Sequence, residues 1–192
     1  MVVIATPTRG EILGRTVSDL IQLIKYSPET EWMLAEGTYL NNLRTILVDT
    51  AVAAKASHIL FIDSDMRFPK DSLERLLKHK KEIVGANYRQ RTQDQFCASK
   101  GDKFISSGGK KGLEEVDSVG FGVLLVDTTV FTSPLRAVPK DAFAMPFDTS
   151  QGKFVGEDVY FCTMAKDRGF KVWIDHDLSQ EVRHTGMVEF SV

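Results

Sequence analysis

The segment HILFIDSDMRFP, His58 to Pro69, joins a continuous apolar run to two acids spaced one residue apart. A run of this length without polar alternation reads as a strand covered on both faces by helices. Asp63 and Asp65 then stand at its carboxyl end, the edge at which open α/β sheets bind ligands. Residues i and i+2 of an extended chain point the same way. Two carboxylates aimed at one spot repel each other, and a divalent cation relieves that repulsion. Mg²⁺ or Mn²⁺ accepts oxygen ligands of this kind and keeps positions for substrate phosphates. The plainer reading is that both acids cap the following turn, where Asp is common.

Outward from this segment, the flanking pattern is α/β. Val2 to Ala5 is a short β-branched run bounded by Thr6-Pro7-Thr8-Arg9-Gly10, a strand followed by a turn. Val17, Leu20, Ile21 and Ile24 fall at helical spacing, with Thr16 as N-cap and Asp19 as its capping-box partner. Glu31 to Gly37 reads as a second strand, and Leu40, Leu43, Leu47, Ala51 and Ala54 mark one stripe of a longer helix. After Asp65, Pro69 suits the first turn of a helix carrying Leu73, Leu76 and Leu77, and Ile83 to Asn87 supplies a fourth strand. Strands separated by helices imply right-handed crossovers and a mostly parallel sheet. Beyond Asn87, strand candidates around Phe96, Phe104 and Val123 to Val126 are separated by glycine-rich turns, which predicts antiparallel additions.

With 192 residues and 43% apolar content, the chain supports a single domain over 1–192. A net charge of -2 gives no global field that would draw it onto phosphate backbones. Cys97 and Cys162 match no redox or metal spacing, so both are expected to be reduced and packed, and a cytoplasmic setting fits them. The apolar start is too short for a signal peptide, and nothing approaches the length of a membrane span. Lys78, Lys80, Lys81, Arg89, Arg91, Lys100, Lys103, Lys110 and Lys111 crowd the middle of the chain. That run is either solvated surface or an anion-facing rim for an acceptor.

Four segments resemble GT-A glycosyltransferases, especially compact family 2 enzymes of bacteria and phages: ATPTRG (Ala5 to Gly10), the Arg44 helix followed by LFIDSDMRFP, VGFGVLLVD (Val119 to Asp127), and FVGEDVYFC through VRHTG. They occur in that family's order across nearly the whole chain. The resemblance implies a three-layer α/β/α GT-A fold. It also implies transfer of a sugar from a nucleotide diphosphate donor of UDP or GDP type, with Mn²⁺ or Mg²⁺. Asp63 and Asp65 would then meet the metal and diphosphate, Ser64 the ribose or phosphate, and Thr6, Thr8 and Arg9 the nucleotide, with Arg44 a further candidate. GED resembles the motif that opens a helix under the acceptor: Asp158 would be the general base of an inverting reaction and Glu157 would orient acceptor or sugar. Acids in a first helical turn are also favoured by the helix dipole alone. His184 matches the family's late metal-binding histidine, whereas His58, His79 and His176 read as structural or exposed.

Gly120 and Gly122 flank Phe121 in a strand-like segment, which marks either close approach of a ligand, Gly120 then lying beside the nucleotide sugar, or a bend. Trp173 and Phe161 read as core. A haloacid dehalogenase type phosphatase also ends an apolar strand in Asp-x-Asp, with Asp63 then the nucleophile. That pattern closes the first strand and is followed by small residues, whereas here it closes the third and is followed by Met66 and Arg67. A non-catalytic module binding nucleotide or glycan remains a further reading. The acceptor is left open among a glycan, a lipid-linked sugar, a protein and modified DNA.

Overall fold

A computed structural model describes residues 1–90 and 95–186; Arg91 of the basic run lies outside the described residues. In chain order the elements are β1 (Val2–Thr8), α1 (Gly14–Tyr26), β2 (Thr30–Glu36), α2 (Leu40–Ala53), β3 (His58–Ile62), β4 (Met66–Arg67), α3 (Ser72–Lys78), β5 (Ile83–Gly85), β6 (Ser99–Lys100) and β7 (Lys103–Phe104). There follow β8 (Leu113–Val116), β9 (Val123–Asp127), α4 (Thr129–Thr132), β10 (Phe147–Asp148), β11 (Lys153–Phe154), α5 (Glu157–Asp167), β12 (Val172–Asp175), α6 (His176–Ser179) and β13 (Arg183–His184).

A seven-stranded mixed sheet in the order β2-β1-β3-β9-β5-β12-β8 forms the middle layer. β1, β2, β3, β5 and β12 run one way, and β8 and β9 run the other. β8 is an antiparallel edge strand at a place where the sequence pattern suggests none, whereas β9 is the candidate at Val123 to Val126. β9 is not an edge addition: it lies between β3 and β5 at the centre, where its residues, apolar on both faces, are buried in both cores.

Alternation along the strands builds two cores. Val3, Ala5, Ile59, Phe61, Leu124, Val126, Val172 and Ile174 meet Leu47, Val48, Phe161, Cys162 and Ala165 from α2 and α5. Val2, Ile4, Leu60, Ile62, Val123 and Leu125 meet Leu20, Leu23, Leu73, Leu76 and Leu178 from α1, α3 and α6. Successive side chains of a strand point to opposite faces, so strands apolar at every position require helices on both sides. On the first side Phe61, Phe121, Phe143 and Phe161 pack as a ring cluster, with Phe143 and Phe161 stacked at 5.4 Å. Trp173 is only partly buried, with Lys81 over its ring at 4.4 Å.

Several local expectations are corrected. β1 continues through Pro7 to Thr8, pairing with β2 along its full length but with β3 only as far as Ala5. Pro7 therefore breaks no ladder on the β3 side, the situation in which a strand tolerates proline. The capping box at Thr16 does not form: α1 begins at Gly14, which places Thr16 inside the helix, and its buried hydroxyl finds no hydrogen-bond partner among the described residues. Asp19 instead accepts from Arg67 Nε and Nη2 and from Phe68 N, tying α1 to β4. Pro69 precedes α3 rather than entering it, its carbonyl closing a turn onto Ser72 N. The fourth strand stops at Gly85, and Asn87 turns its side chain into a buried network with Ile105 O, Ser107 and Ala98 N. The strand candidates around Phe96 and Phe104 stay outside the large sheet, as a bridge between Arg89 and Phe96 and as the β6–β7 hairpin.

Candidate active-site cleft

The parallel strands β1 and β3 end at a cleft of about 510 Å³ lined by Thr8, Arg9, Glu11, Asp63, Ser64, Asp65 and His184. Its floor is a pair of tied loops. Thr8 Oγ1 donates to Glu11 O at 2.6 Å and accepts from Gly10 N, and Leu13 N donates to Ser64 O at 3.0 Å. Gly10 has φ of +117°, a conformation that side-chain-bearing residues rarely adopt. Thr6 takes no part in the lining: it is fully buried, and its hydroxyl accepts from Trp32 Nε1 at 3.0 Å.

His184 reaches this cleft from the far end of the sequence because β13 pairs antiparallel with β4, Arg183 opposite Arg67 and His184 opposite Met66. The ladder continues as Thr185 N donating to Asp65 O at 2.9 Å. His184 Nε2 thereby lies 3.3 Å from Asp65 Oδ2, while Nδ1 is 3.1 Å from the Arg89 carbonyl. Both ring nitrogens thus face oxygen acceptors, a backbone carbonyl on one side and a carboxylate on the other.

Asp63 belongs to a second group. Arg44 is 2% exposed on α2 and donates from Nη2 to Asp63 Oδ1 at 2.9 Å, while its Nε lies 3.5 Å from Glu157 Oε1. The guanidinium rests over the Phe121 ring at 4.4 Å. Asp158, beside Glu157 in the first turn of α5, is partly buried and accepts from Val159 N. Burial, followed by the neighbouring Glu157 charge, pushes its pKa up to about 6.

Gly120 and Gly122 answer to a residue the sequence reading missed. A Cβ on Gly120 would come within 2.4 Å of the Tyr88 hydroxyl, and one on Gly122 within 2.6 Å of Tyr88 Cζ. Gly122 N donates to that hydroxyl at 2.9 Å. The close approach is by a tyrosine of the same chain, and the Gly-x-Gly spacing was the signal that some ring lies there. The remaining histidines are engaged structurally: His79 meets Asp175 at 2.8 Å, His58 lies 3.7 Å from Asp127, and the buried His176 joins Ser107 and Glu114 at 2.8 Å each. Burial pushes both cysteine thiols up to about 12, as fits packed, reduced side chains.

The donor types at the cleft, two carboxylates and an imidazole, suit Mn²⁺ or Mg²⁺. Asp65 and His184 lie within reach of one ion, whereas Asp63 Oδ1 is engaged by Arg44. Among the described residues no three His, Cys, Asp or Glu side chains converge as a cluster. The cleft thus holds Asp65 in contact with His184 beside Asp63, which is salt-bridged to Arg44.

No protein-family profile matches the chain, and no curated protein matches it in sequence. In structure it is similar to A197 from STIV, whose crystal structure matches with a TM-score of 0.59 at 14% identity, covering 100% of this chain and 98% of that one. The likeness places the chain in an α/β fold with a large mixed sheet flanked by helices. No helix among the described residues is long and apolar enough to cross a membrane.

Proposed function

We propose that the chain is a metal-dependent glycosyltransferase of GT-A type, moving a sugar from a nucleotide diphosphate donor to a hydroxyl acceptor in the cytoplasm. One observation carries this reading: Asp65 and His184, 119 residues apart in sequence, meet at 3.3 Å in a cleft at the carboxyl ends of two parallel strands. Asp65 and His184 would hold the ion. When bound, Mn²⁺ or Mg²⁺ would neutralise the charge that builds on the departing diphosphate. Thr8, Arg9 and Ser64 line the same cleft and contact the nucleotide.

Asp158 supplies the base. A carboxylate whose pKa is about 6 is ionised at neutral pH yet basic enough to take a proton from an attacking hydroxyl. Arg44 links Asp63, which lines the cleft, to Glu157, the neighbour of Asp158, and so ties the first turn of α5 to the cleft. Attack opposite the leaving diphosphate inverts the anomeric centre, which NMR of the product reads directly.

The test is release of free sugar from UDP- and GDP-sugars with and without Mn²⁺. Turnover that needs the ion and vanishes in Asp65→Ala and His184→Ala, both still folded by circular dichroism, supports the reading. Hydrolysis of simple phosphate esters through a phosphoaspartate on Asp63 would overturn it in favour of a phosphatase, and metal-assisted binding without turnover would leave a binding module.

A further inference from the structure

A buried histidine that the cleft does not use stands in line with a serine and a carboxylate. His176 is 2% exposed; its Nδ1 lies 2.8 Å from Ser107 Oγ and its Nε2 lies 2.8 Å from Glu114 Oε2. Sheet register delivers two of the three groups. β12 pairs antiparallel with β8, Ile174 opposite Glu114, and the ladder runs on as His176 N donating to Gly112 O. Glu114 and His176 are thereby diagonal neighbours, a spacing across which long side chains meet. Ser107 comes from the segment between β7 and β8, which is fastened at both ends: Ile105 O accepts from Asn87 Nδ2, and Gly112 N donates to Asp177 Oδ2.

The contacts that fix His176 in place also set its protons. Lys110 Nζ donates to Glu114 Oε2 at 2.9 Å, and this bond, followed by the one from His176, holds the Glu114 carboxyl below its ordinary range. An ionised carboxylate only accepts, so Nε2 carries a proton and, in the neutral ring, Nδ1 turns its lone pair to Ser107. The Asn87 amide is oriented by the backbone, Oδ1 accepting from Ala98 N at 3.1 Å and Nδ2 donating to Ile105 O at 2.7 Å. Nδ2 also donates to Ser107 Oγ at 3.2 Å, which directs the hydroxyl hydrogen at Nδ1. A hydroxyl aimed at an imidazole whose other nitrogen is held by a carboxylate is the arrangement that activates a serine. The two ring nitrogens are exchanged relative to the serine proteases, and either nitrogen of imidazole can act as the base.

Ser107 also meets a space for a substrate. It lines a cavity of about 670 Å³, whereas His176 and Glu114 stand outside the lining, behind it. A volume of this size takes a small molecule. Tyr88, Phe96 and Val182 line the same cavity and offer apolar surface suited to an acyl group.

We propose that Ser107 and His176, with Glu114 as positioning residue, form a second catalytic site that hydrolyses small carboxylic esters without a metal. Ser107 Oγ attacks the acyl carbon as its proton passes to His176 Nδ1. The bond from that carbon to the alcohol oxygen breaks, and the alcohol leaves with the proton. Water then gives a proton to Nδ1 and attacks the acyl-serine, the proton returns to Ser107 Oγ, and the acid is released. Glu114 stays ionised and stabilises the imidazolium.

The full chain is treated with a fluorophosphonate–biotin probe in EDTA, and the adduct is located by peptide mass mapping. Phosphonylation of Ser107, absent from Ser107→Ala, is the expected result. Hydrolysis of p-nitrophenyl acetate should fall at least about a hundredfold in Ser107→Ala and in His176→Gln, the scale of a lost base. Glu114→Gln should lower kcat with KM kept. Labelling confined to other residues, no labelling, or ester turnover unchanged in Ser107→Ala overturns the proposal, and mapping of the wild type decides it should His176→Gln fail to fold. Sugar release from nucleotide sugars, measured on the same preparations with Mn²⁺, depends on other residues, so either activity can fail alone.

Discussion

Arg44 and Asp63 form an ion pair at 2.9 Å in which the arginine is almost completely enclosed while the carboxylate keeps partial access to the cleft. The same guanidinium faces Glu157, so one buried cation balances two acids that come from different ends of the chain. Removing it leaves two facing carboxylates without compensation. Arg44→Ala is therefore expected to lose about 3–5 kcal/mol of stability, the scale for breaking a buried pair. Urea denaturation measures it. The loss should shrink when Glu157→Gln is added, because the residual repulsion is smaller.

Asp158 makes stability depend on pH in a defined direction. Its pKa is raised to about 6 by burial and then by Glu157, against about 3.9 in an unfolded chain. The native state keeps the proton where the unfolded state has released it. This contribution is thus complete below about pH 4 and is lost as pH rises through 6. Asp158→Asn should gain on the wild type between pH 4.5 and 7.5 by up to about 3 kcal/mol, read from urea midpoints. If the residue is also the base, wild-type transfer should rise through pH 6 and the variant should be inactive across the range.

Mn²⁺ with UDP should raise the melting temperature of the wild type and leave Asp65→Ala and His184→Ala unmoved, since a ligand stabilises only the state it binds. A shift of equal size in all three proteins would place the ion elsewhere.

Tyr88 and Gly120 should be coupled. Gly120→Ala sets a methyl group against the buried hydroxyl, an overpacking expected to cost about 1–3 kcal/mol. Tyr88→Phe strands the Gly122 amide at a similar cost. The double variant should lose less than the sum of the two, because deleting the hydroxyl makes room for the methyl, and thermal denaturation of all four proteins closes the cycle.

Asp19→Ala should lower stability by about 1–3 kcal/mol, since it orphans Phe68 N and frees Arg67. It should also weaken the Mn²⁺ response, because β4 is the strand against which His184 is laid.

The sequence made some of this legible and hid the rest for physical reasons. β3 runs from His58 to Ile62, the boundaries that its unbroken apolar run suggests, because covering by helices on both faces leaves a mark on every residue. The place of β9 left no mark of that kind: an apolar pattern reports burial, not which strand is the neighbour. The Thr16 capping box was plausible by spacing, but Asp19 was drawn away by Arg67, a partner 48 residues distant that no local rule contains. At the site, the motif residues Asp65 and His184 are legible in the sequence, and the structure adds their contact. Arg44, expected at the nucleotide, lies buried as a counter-ion to Asp63. Thr6 is buried, and Tyr88 leaves no mark in the sequence because its significance comes from tertiary neighbours alone.

The reversed strand at the centre of the sheet changes what that edge of the molecule can be made from. Where its neighbours deliver the residues that follow them, β9 delivers the residues that precede it, and Asp63 N bonds to Gly122 O at that junction. The stretch entering β9 is held on both sides, with Val116, Val119 and Phe121 buried and Asp117 and Ser118 bonded to Ser99 upstream of the pinned Gly122. A loop ahead of β9 therefore reaches the carboxyl ends of β3 and β5 from the direction opposite to the loops that follow those strands.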